Sequence, residues 1–156
     1  MAASSSRWGT FPYLMSGVIV IAVSFYVDVR YATYPEVSRV AGMGLVVLGL
    51  AGVFWSTLVA RDAVLGEIEP RSEKLIQRGP FALVRHPMYL GFTIALSGIA
   101  LSSRSWPGLI CVLLLFVPSA ILRARMEERA LAARFGEEWQ RYAAGVPFLL
   151  PGLRRR

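Results

Sequence analysis

The sequence predicts an all-α fold: a polytopic membrane bundle of about four transmembrane helices, closed by a cytoplasmic C-terminal amphipathic helix. Three observations carry that reading. Hydrophobic residues make up 55% of the 156-residue chain, and the mean hydropathy is +0.51, well above a soluble domain of this size. The apolar residues fall into four blocks, about 11–27, 40–60, 87–103 and 106–122. Basic residues flank the blocks unevenly. With four spans, Arg7, five residues of the 61–86 loop (Arg61, Arg71, Lys74, Arg78, Arg85) and eight of the tail share one side, fourteen against the three (Arg30, Arg39, Arg104) opposite. That asymmetry places both termini in the cytoplasm.

A helix rises about 1.5 Å per residue, and about 20 residues cross the hydrocarbon. The first, third and fourth blocks are short but span if flanking Tyr, Trp and Arg side chains reach the interface. Tyr13, Tyr26, Trp55, Tyr89 and Trp106 lie near block ends, as aromatic-belt residues do. Arg7 before the first block also suits a signal peptide, but Asp28-Val-Arg-Tyr31 is no small-x-small cleavage site. Gly42, Gly49, Gly52 and Ser56 share one face of the second block, and Gly91, Ala95, Gly98 and Ser102 one face of the third. Such faces allow close helix approach in lipid and would serve a homodimer interface equally well. Ser102-Ser-Arg-Ser-Trp-Pro-Gly108 is a tight turn that makes the third and fourth blocks antiparallel neighbours.

The net charge of +7 would point to nucleic acid in a soluble protein. Here the charges flank apolar blocks, so membrane orientation and contact with anionic membrane lipids account for them and no nucleic-acid partner is expected. One cysteine, Cys111, and one histidine, His86, exclude an intramolecular disulfide and make a zinc site of the usual ligands an unfit reading. Cys111 lies within an apolar run and reads as a small packing residue.

Two polar clusters stand out, both on the cytoplasmic side. In the first, Arg85-His-Pro-Met-Tyr-Leu-Gly91, Pro87 suits the first turn of the third helix and drives His86 out of helical conformation. That leaves the imidazole pointing into the loop, beside a helix N-terminus suited to a carboxylate. The bland reading is a helix start with a basic flank. In the second, Arg123 and Glu127 are one turn apart on one face, and Glu128 follows. A surface ion pair is worth about 1 kcal/mol at most, but carboxylates this close to hydrocarbon tend to be paired or functional. Beyond them Leu131, Phe135, Trp139 and Tyr142 recur as one apolar helical face over about 123–143, lying on the membrane or folded under the bundle. Gly136 bends this helix and Gly145-Val-Pro147 ends it.

Taken in order, Gly79-Pro-Phe81, Arg85–Gly91, Glu127-Glu-x-x-Leu131, Phe135-Gly-Glu-Glu-Trp-x-x-Tyr142 and Val146-Pro147 resemble the isoprenylcysteine carboxyl methyltransferase family, with the related phospholipid N-methyltransferases. The likeness covers roughly 66–151. It implies an integral membrane enzyme that uses S-adenosyl-L-methionine to methylate a lipophilic acceptor. It puts Lys74, Leu75, Ile76, Phe81, His86, Pro87, Met88, Tyr89 and Glu127 at the cofactor and Arg123 at the methyl acceptor. Glu127 or Glu128 would be the base if the acceptor is an amine. Phe81 stands where the family often has tyrosine, and Glu73 where the isoprenylcysteine enzymes often have histidine. The resemblance therefore carries the cofactor further than the acceptor, which is a prenylcysteine carboxylate, a phospholipid amine or a small thiol. Two other classes compete. Sterol reductases have a similar cytoplasmic end and bind NADPH but are much longer, and a non-catalytic four-helix membrane protein would use its polar ends only for topology.

Overall fold

A computed structural model describes residues 3–27, 30, 34–60 and 75–150. It is an all-α bundle. Helix α1 covers Ala3–Tyr26 and α2 covers Pro35–Val59. A single turn, α3 (Pro80–Leu83), precedes α4 (Pro87–Ser102). Helix α5 (Trp106–Cys111) runs through a π-helical turn, Val112–Phe116, into α6 (Val117–Phe135), and α7 (Glu137–Gly145) follows. The π turn has a local cause: Pro118 has no N–H for the preceding turn and its ring crowds that carbonyl, so the helix widens by a residue just before it.

Two helices are long and apolar enough to cross a membrane, α2 and the continuous α5–α6 rod over 106–135; α4 and the 10–26 part of α1 are apolar but shorter. No separate helix starts at Arg123. The apolar stretch to Leu122 and the charged stretch after it form one rod that stops only at Gly136 (φ 50°). A left-handed residue ends a helix cheaply when it is glycine, and the chain restarts at once as α7.

The core lies between α1, α4 and the α5–α6 rod, where Tyr13, Val20, Tyr89, Leu96, Val112, Phe116, Ala120 and Ala124 pack together. The tight turn is present: Ser105 caps α5 by accepting from the Gly108 N–H at 3.1 Å, and Arg104 takes a left-handed φ of 56°. The longest contact of α4 is nevertheless with α2. A methyl group placed on Gly49 would sit 2.5 Å from the Gly91 carbonyl oxygen, and one on Gly42 would sit 2.6 Å from that of Gly98. The small-residue faces therefore meet each other within the chain. Gly52 is a correction to the sequence reading: among the described residues nothing lies within 4 Å of its missing Cβ. It is off the seam because the face that meets α4 runs through Gly42, Gly49 and the buried Ser56, spaced by sevens. The rest of α2, including Val40, Val47 and Phe54, is exposed and apolar, a surface suited to lipid.

Candidate active site

The N-terminal end of α4 meets the middle of α6. His86 is the N-cap residue of α4, with φ −124° and no side-chain cap bond, and Pro87 opens the helix. The imidazole does not point into the loop as expected. It is 5% exposed, packed edge-on against Phe148 at 4.9 Å between ring centroids. Its Nε2 lies 3.2 Å from Glu128 Oε1 and its Nδ1 3.9 Å from Glu127 Oε2. The cause is the segment after α7, which turns back at Val146-Pro147: the Arg85 N–H donates to the Pro147 carbonyl at 2.9 Å, bringing Phe148 over the ring.

Two linked polar groups result. The Tyr89 hydroxyl donates to Glu127 Oε1 at 2.5 Å, and Arg123 Nε approaches the same oxygen at 3.5 Å. Arg123 is 7% exposed; its Nη1 donates to Thr10 Oγ1, and its guanidinium lies 5.9 Å from the centre of the Tyr13 ring. On the other side Arg85 Nη1 pairs with Glu128 at 3.1 Å, its guanidinium flanked by the rings of Trp139 and Phe148 at 5.9 and 5.6 Å. Burial raises the Glu127 carboxyl above the ordinary carboxylate range, against the opposing pull of the Tyr89 hydrogen bond and the His86 and Arg123 charges. Burial likewise pushes the Tyr142 phenol up to about 12, so it stays protonated and donates to the Phe81 carbonyl at 2.7 Å, fastening α7 under α3.

These groups border a cavity of about 240 Å³. Of the residues singled out from the sequence, Leu75, Ile76, Phe81, His86, Pro87, Met88, Tyr89, Arg123 and Glu127 line it. Lys74 lies outside the described residues. Glu128 is not among the lining residues; it stands behind them, bound to Arg85 and His86.

The cavity also has walls that sequence reasoning did not assign. Leu131, Phe135, Trp139 and Tyr142 line it, so the apolar face after Glu128 turns inward under the bundle. Their periodicity was the available signal. Tyr13 and Tyr89 read as interfacial aromatics but are buried here, edge to face at 5.2 Å. For Tyr13 and Phe92 nothing in the local pattern marks a site. Arg85 also lines the cavity, and its Nε is a buried donor with no partner among the described residues.

A family model described as phospholipid methyltransferase matches residues 37–138, well over half of the chain. The chain belongs to the phospholipid methyltransferase family. Two characterised proteins are also similar. The methanethiol S-methyltransferase of Pseudomonas deceptionensis is 33% identical over 75 residues, 48% of this chain and 28% of that protein. The cobalt-zinc-cadmium resistance protein CzcN of Cupriavidus metallidurans is 28% identical over 109 residues, 70% of this chain and 50% of that protein. The chain thus spans half or less of the length of these relatives.

A phospholipid methyltransferase domain is an S-adenosylmethionine-dependent methyltransferase domain, and the residues at the cavity fit that cofactor. An amino acid carboxylate needs a donor, and Arg85 Nε is a buried donor without a partner among the described residues. An ammonium needs an acceptor, and Glu127 is a carboxylate at the wall. A sulfonium and a purine suit aromatic faces, which Phe81, Phe135, Trp139 and Tyr142 supply.

Proposed function

We propose that this chain is an integral membrane enzyme that moves a methyl group from S-adenosylmethionine to a lipophilic acceptor at the cytoplasmic edge of the membrane, and that the acceptor arrives as an anion, a thiolate or a carboxylate. In this reading the spans are 11–27, 40–60, 87–103 and 106–122, and both termini and the site face the cytoplasm, as the basic asymmetry of the loops supports. The observation that carries the reading is the meeting of His86 and Tyr89 from α4 with Arg123 and Glu127 from α6 at one aromatic-walled cavity.

The bound cofactor supplies an electrophilic methyl group on a sulfonium. The chain supplies alignment and exclusion of water. Glu127 takes the cofactor's ammonium side, while His86, Pro87, Met88 and Tyr89, with Leu75, Ile76 and Phe81, wrap it. Arg123 orients the acceptor. Both carboxylates are already engaged: Glu127 with Tyr89 and Arg123, Glu128 with Arg85 and His86. With Glu127 also taking the cofactor's ammonium and Glu128 behind the cavity wall, this reading leaves no carboxylate for an amine's proton, whereas an acceptor already deprotonated needs only the Arg123 guanidinium to hold it. A thiolate or a prenylcysteine carboxylate meets that condition, and the likeness to methanethiol S-methyltransferase favours the thiol.

The test is methyl transfer from labelled S-adenosylmethionine by the full chain in lipid nanodiscs, with methanethiol, a farnesylcysteine analogue and phosphatidylethanolamine as acceptors. Transfer to the thiol or the carboxylate is expected. Transfer to phosphatidylethanolamine alone would overturn the anionic acceptor, and absence of S-adenosylhomocysteine binding by calorimetry would overturn the enzyme. His86→Ala and Glu127→Ala are each expected to weaken S-adenosylhomocysteine binding about tenfold or more, the worth of one hydrogen bond to a charged group. Arg123→Ala should abolish turnover and leave that affinity nearly intact.

A further inference from the structure

The guanidinium of Arg123 is buried, and a buried charge keeps one geometry only if its partners fix it. Glu127 fixes it weakly, since the contact to Nε is 3.5 Å and the same oxygen takes the Tyr89 hydroxyl at 2.5 Å. Its other partners come from α1. Thr10 Oγ1 accepts from Nη1, and the Tyr13 ring lies under the guanidinium. Register between α1 and the α5–α6 rod is set nearby: Ser16 and Ser119 share a hydrogen bond at 2.8 Å, and Tyr13 packs on Phe116 at 5.2 Å. Thr10, Tyr13 and Ser16 follow one another at three-residue steps on one face of α1. That face meets Arg123, Phe116 and Ser119 of the antiparallel rod. The family match begins only at residue 37, so α1 lies wholly outside the stretch that defines the family.

We infer that α1 completes the acceptor end of the site, with Thr10 as the positioning residue for Arg123 and Tyr13 as the wall against which the acceptor is held. With Nη1 tied to Thr10 and Nε to Glu127, the remaining N–H bonds of Arg123 keep one direction, toward the cavity that both Arg123 and Tyr13 line. An arginine loses less freedom on binding when its fork is already fixed. Without the Thr10 oxygen the guanidinium would turn to find another acceptor, and its aim would be lost while the cofactor side (His86, Tyr89 and Glu127) stayed in place. The inference rests on the proposed role of Arg123 at the acceptor.

The experiment compares wild type, Thr10→Val and Thr10→Ser, all full chain in nanodiscs, using whichever of methanethiol and the farnesylcysteine analogue the wild type methylates. Valine keeps the shape and removes the acceptor oxygen, and serine restores it. Thr10→Val should lower kcat/KM for the acceptor about tenfold, the usual worth of a hydrogen bond to a charged group, with the dissociation constant of S-adenosylhomocysteine unchanged within about twofold. Thr10→Ser should recover wild-type kcat/KM within about twofold. An unchanged kcat/KM in Thr10→Val overturns the inference alone. A fall that is matched in S-adenosylhomocysteine affinity and melting temperature, and that serine does not rescue, also overturns it by showing a merely structural role. A wild type that binds no S-adenosylhomocysteine overturns the proposed function and this inference together.

Discussion

Gly49→Ala tests the seam on which the site is mounted. A methyl group there would lie 2.5 Å from the Gly91 carbonyl oxygen, 2.5 Å from the Ala95 nitrogen and 2.9 Å from the Ala95 Cβ. Ordinary contacts between heavy atoms are about 3.5 Å, so α2 and α4 must part by roughly 1 Å. The opposing atoms are mostly backbone in the middle of a helix and have no rotamer to move to. Overpacking of this kind costs about 3 kcal/mol at its upper range, and alanine returns about 1 kcal/mol of helix propensity. The net loss is therefore about 2 kcal/mol, most of it dispersion contact, which is what holds helices together in lipid. Gly52→Ala is the matched control. It lies on the same helix with nothing within 4 Å of the new methyl, so it keeps the propensity gain and is neutral or slightly stabilising. The assay is reversible unfolding of the full chain in mixed micelles followed by circular dichroism, with S-adenosylhomocysteine affinity measured in parallel. That affinity should fall in Gly49→Ala because Ala60 at the end of α2 and Pro87–Tyr89 at the start of α4 line the cavity from the two sides of the seam. Equal stability of Gly49→Ala and Gly52→Ala would refute the reasoning.

Two further predictions concern the carboxylate. Burial raises the Glu127 carboxyl above its ordinary value of 4.5, so over a window above that pH the folded chain holds a proton that the unfolded chain has lost. Stability of the cofactor-free protein should therefore fall as pH rises from about 4.5 through the raised pKa and level off beyond it; Glu127→Gln should flatten that slope, and melting curves with the same pH dependence in both proteins would contradict the assignment. Tyr89→Phe keeps the ring against Tyr13 but removes the 2.5 Å hydrogen bond to Glu127; S-adenosylhomocysteine affinity should drop about threefold to tenfold with little change in melting temperature, measured by calorimetry and thermal unfolding.

The helices were legible because each kind of signal is local. Apolar runs, Pro87 at a helix start, Gly136 at a break and the Ser102–Gly108 turn all act within a few residues, and the helices α2 and α4 stand close to where the sequence puts them. The face running through Leu131 to Tyr142 was legible as a face, but its partner was not. A period of 3.6 says that one side is buried and leaves open whether lipid or protein covers it. What covers it here depends on the reversal at Gly136, where φ is 50° and after which α7 is fastened to α3 by the Tyr142–Phe81 hydrogen bond. The small-residue stripes show the same limit. Gly49 and Gly52 look alike in sequence, and only the crossing of two helices distinguishes them. Thr10 and Tyr13 were illegible for a stronger reason. Their contacts to Arg123 join the two ends of the chain, and nothing in the pattern of α1 records which helix its polar face will meet.

The walls of the cavity bear on the choice of acceptor. Among the described lining residues the charged side chains are Arg85, Arg123, Glu127 and, when protonated, His86, and each is paired with a neighbour. The other walls are mainly aromatic and aliphatic, Phe81, Phe92, Leu131, Phe135 and Trp139 among them. Joining a sulfonium to an anion destroys two charges, since the products are a neutral thioether and a neutral ester or sulfide. Coulomb attraction between those charges is far stronger in a site of low effective dielectric than in water, and the drop in charge along the reaction leaves less to solvate at the transition state than at the start. An apolar aromatic cavity therefore favours the transition state over the separated ions. An amine acceptor gains no such advantage. An amine must first give up a proton to become a nucleophile, while Glu127 and Glu128 are held by Tyr89, Arg123, Arg85 and His86, and methylation then only moves the positive charge from sulfur to nitrogen. The paired ions and the largely apolar walls thus support the proposed anionic acceptor over an amine.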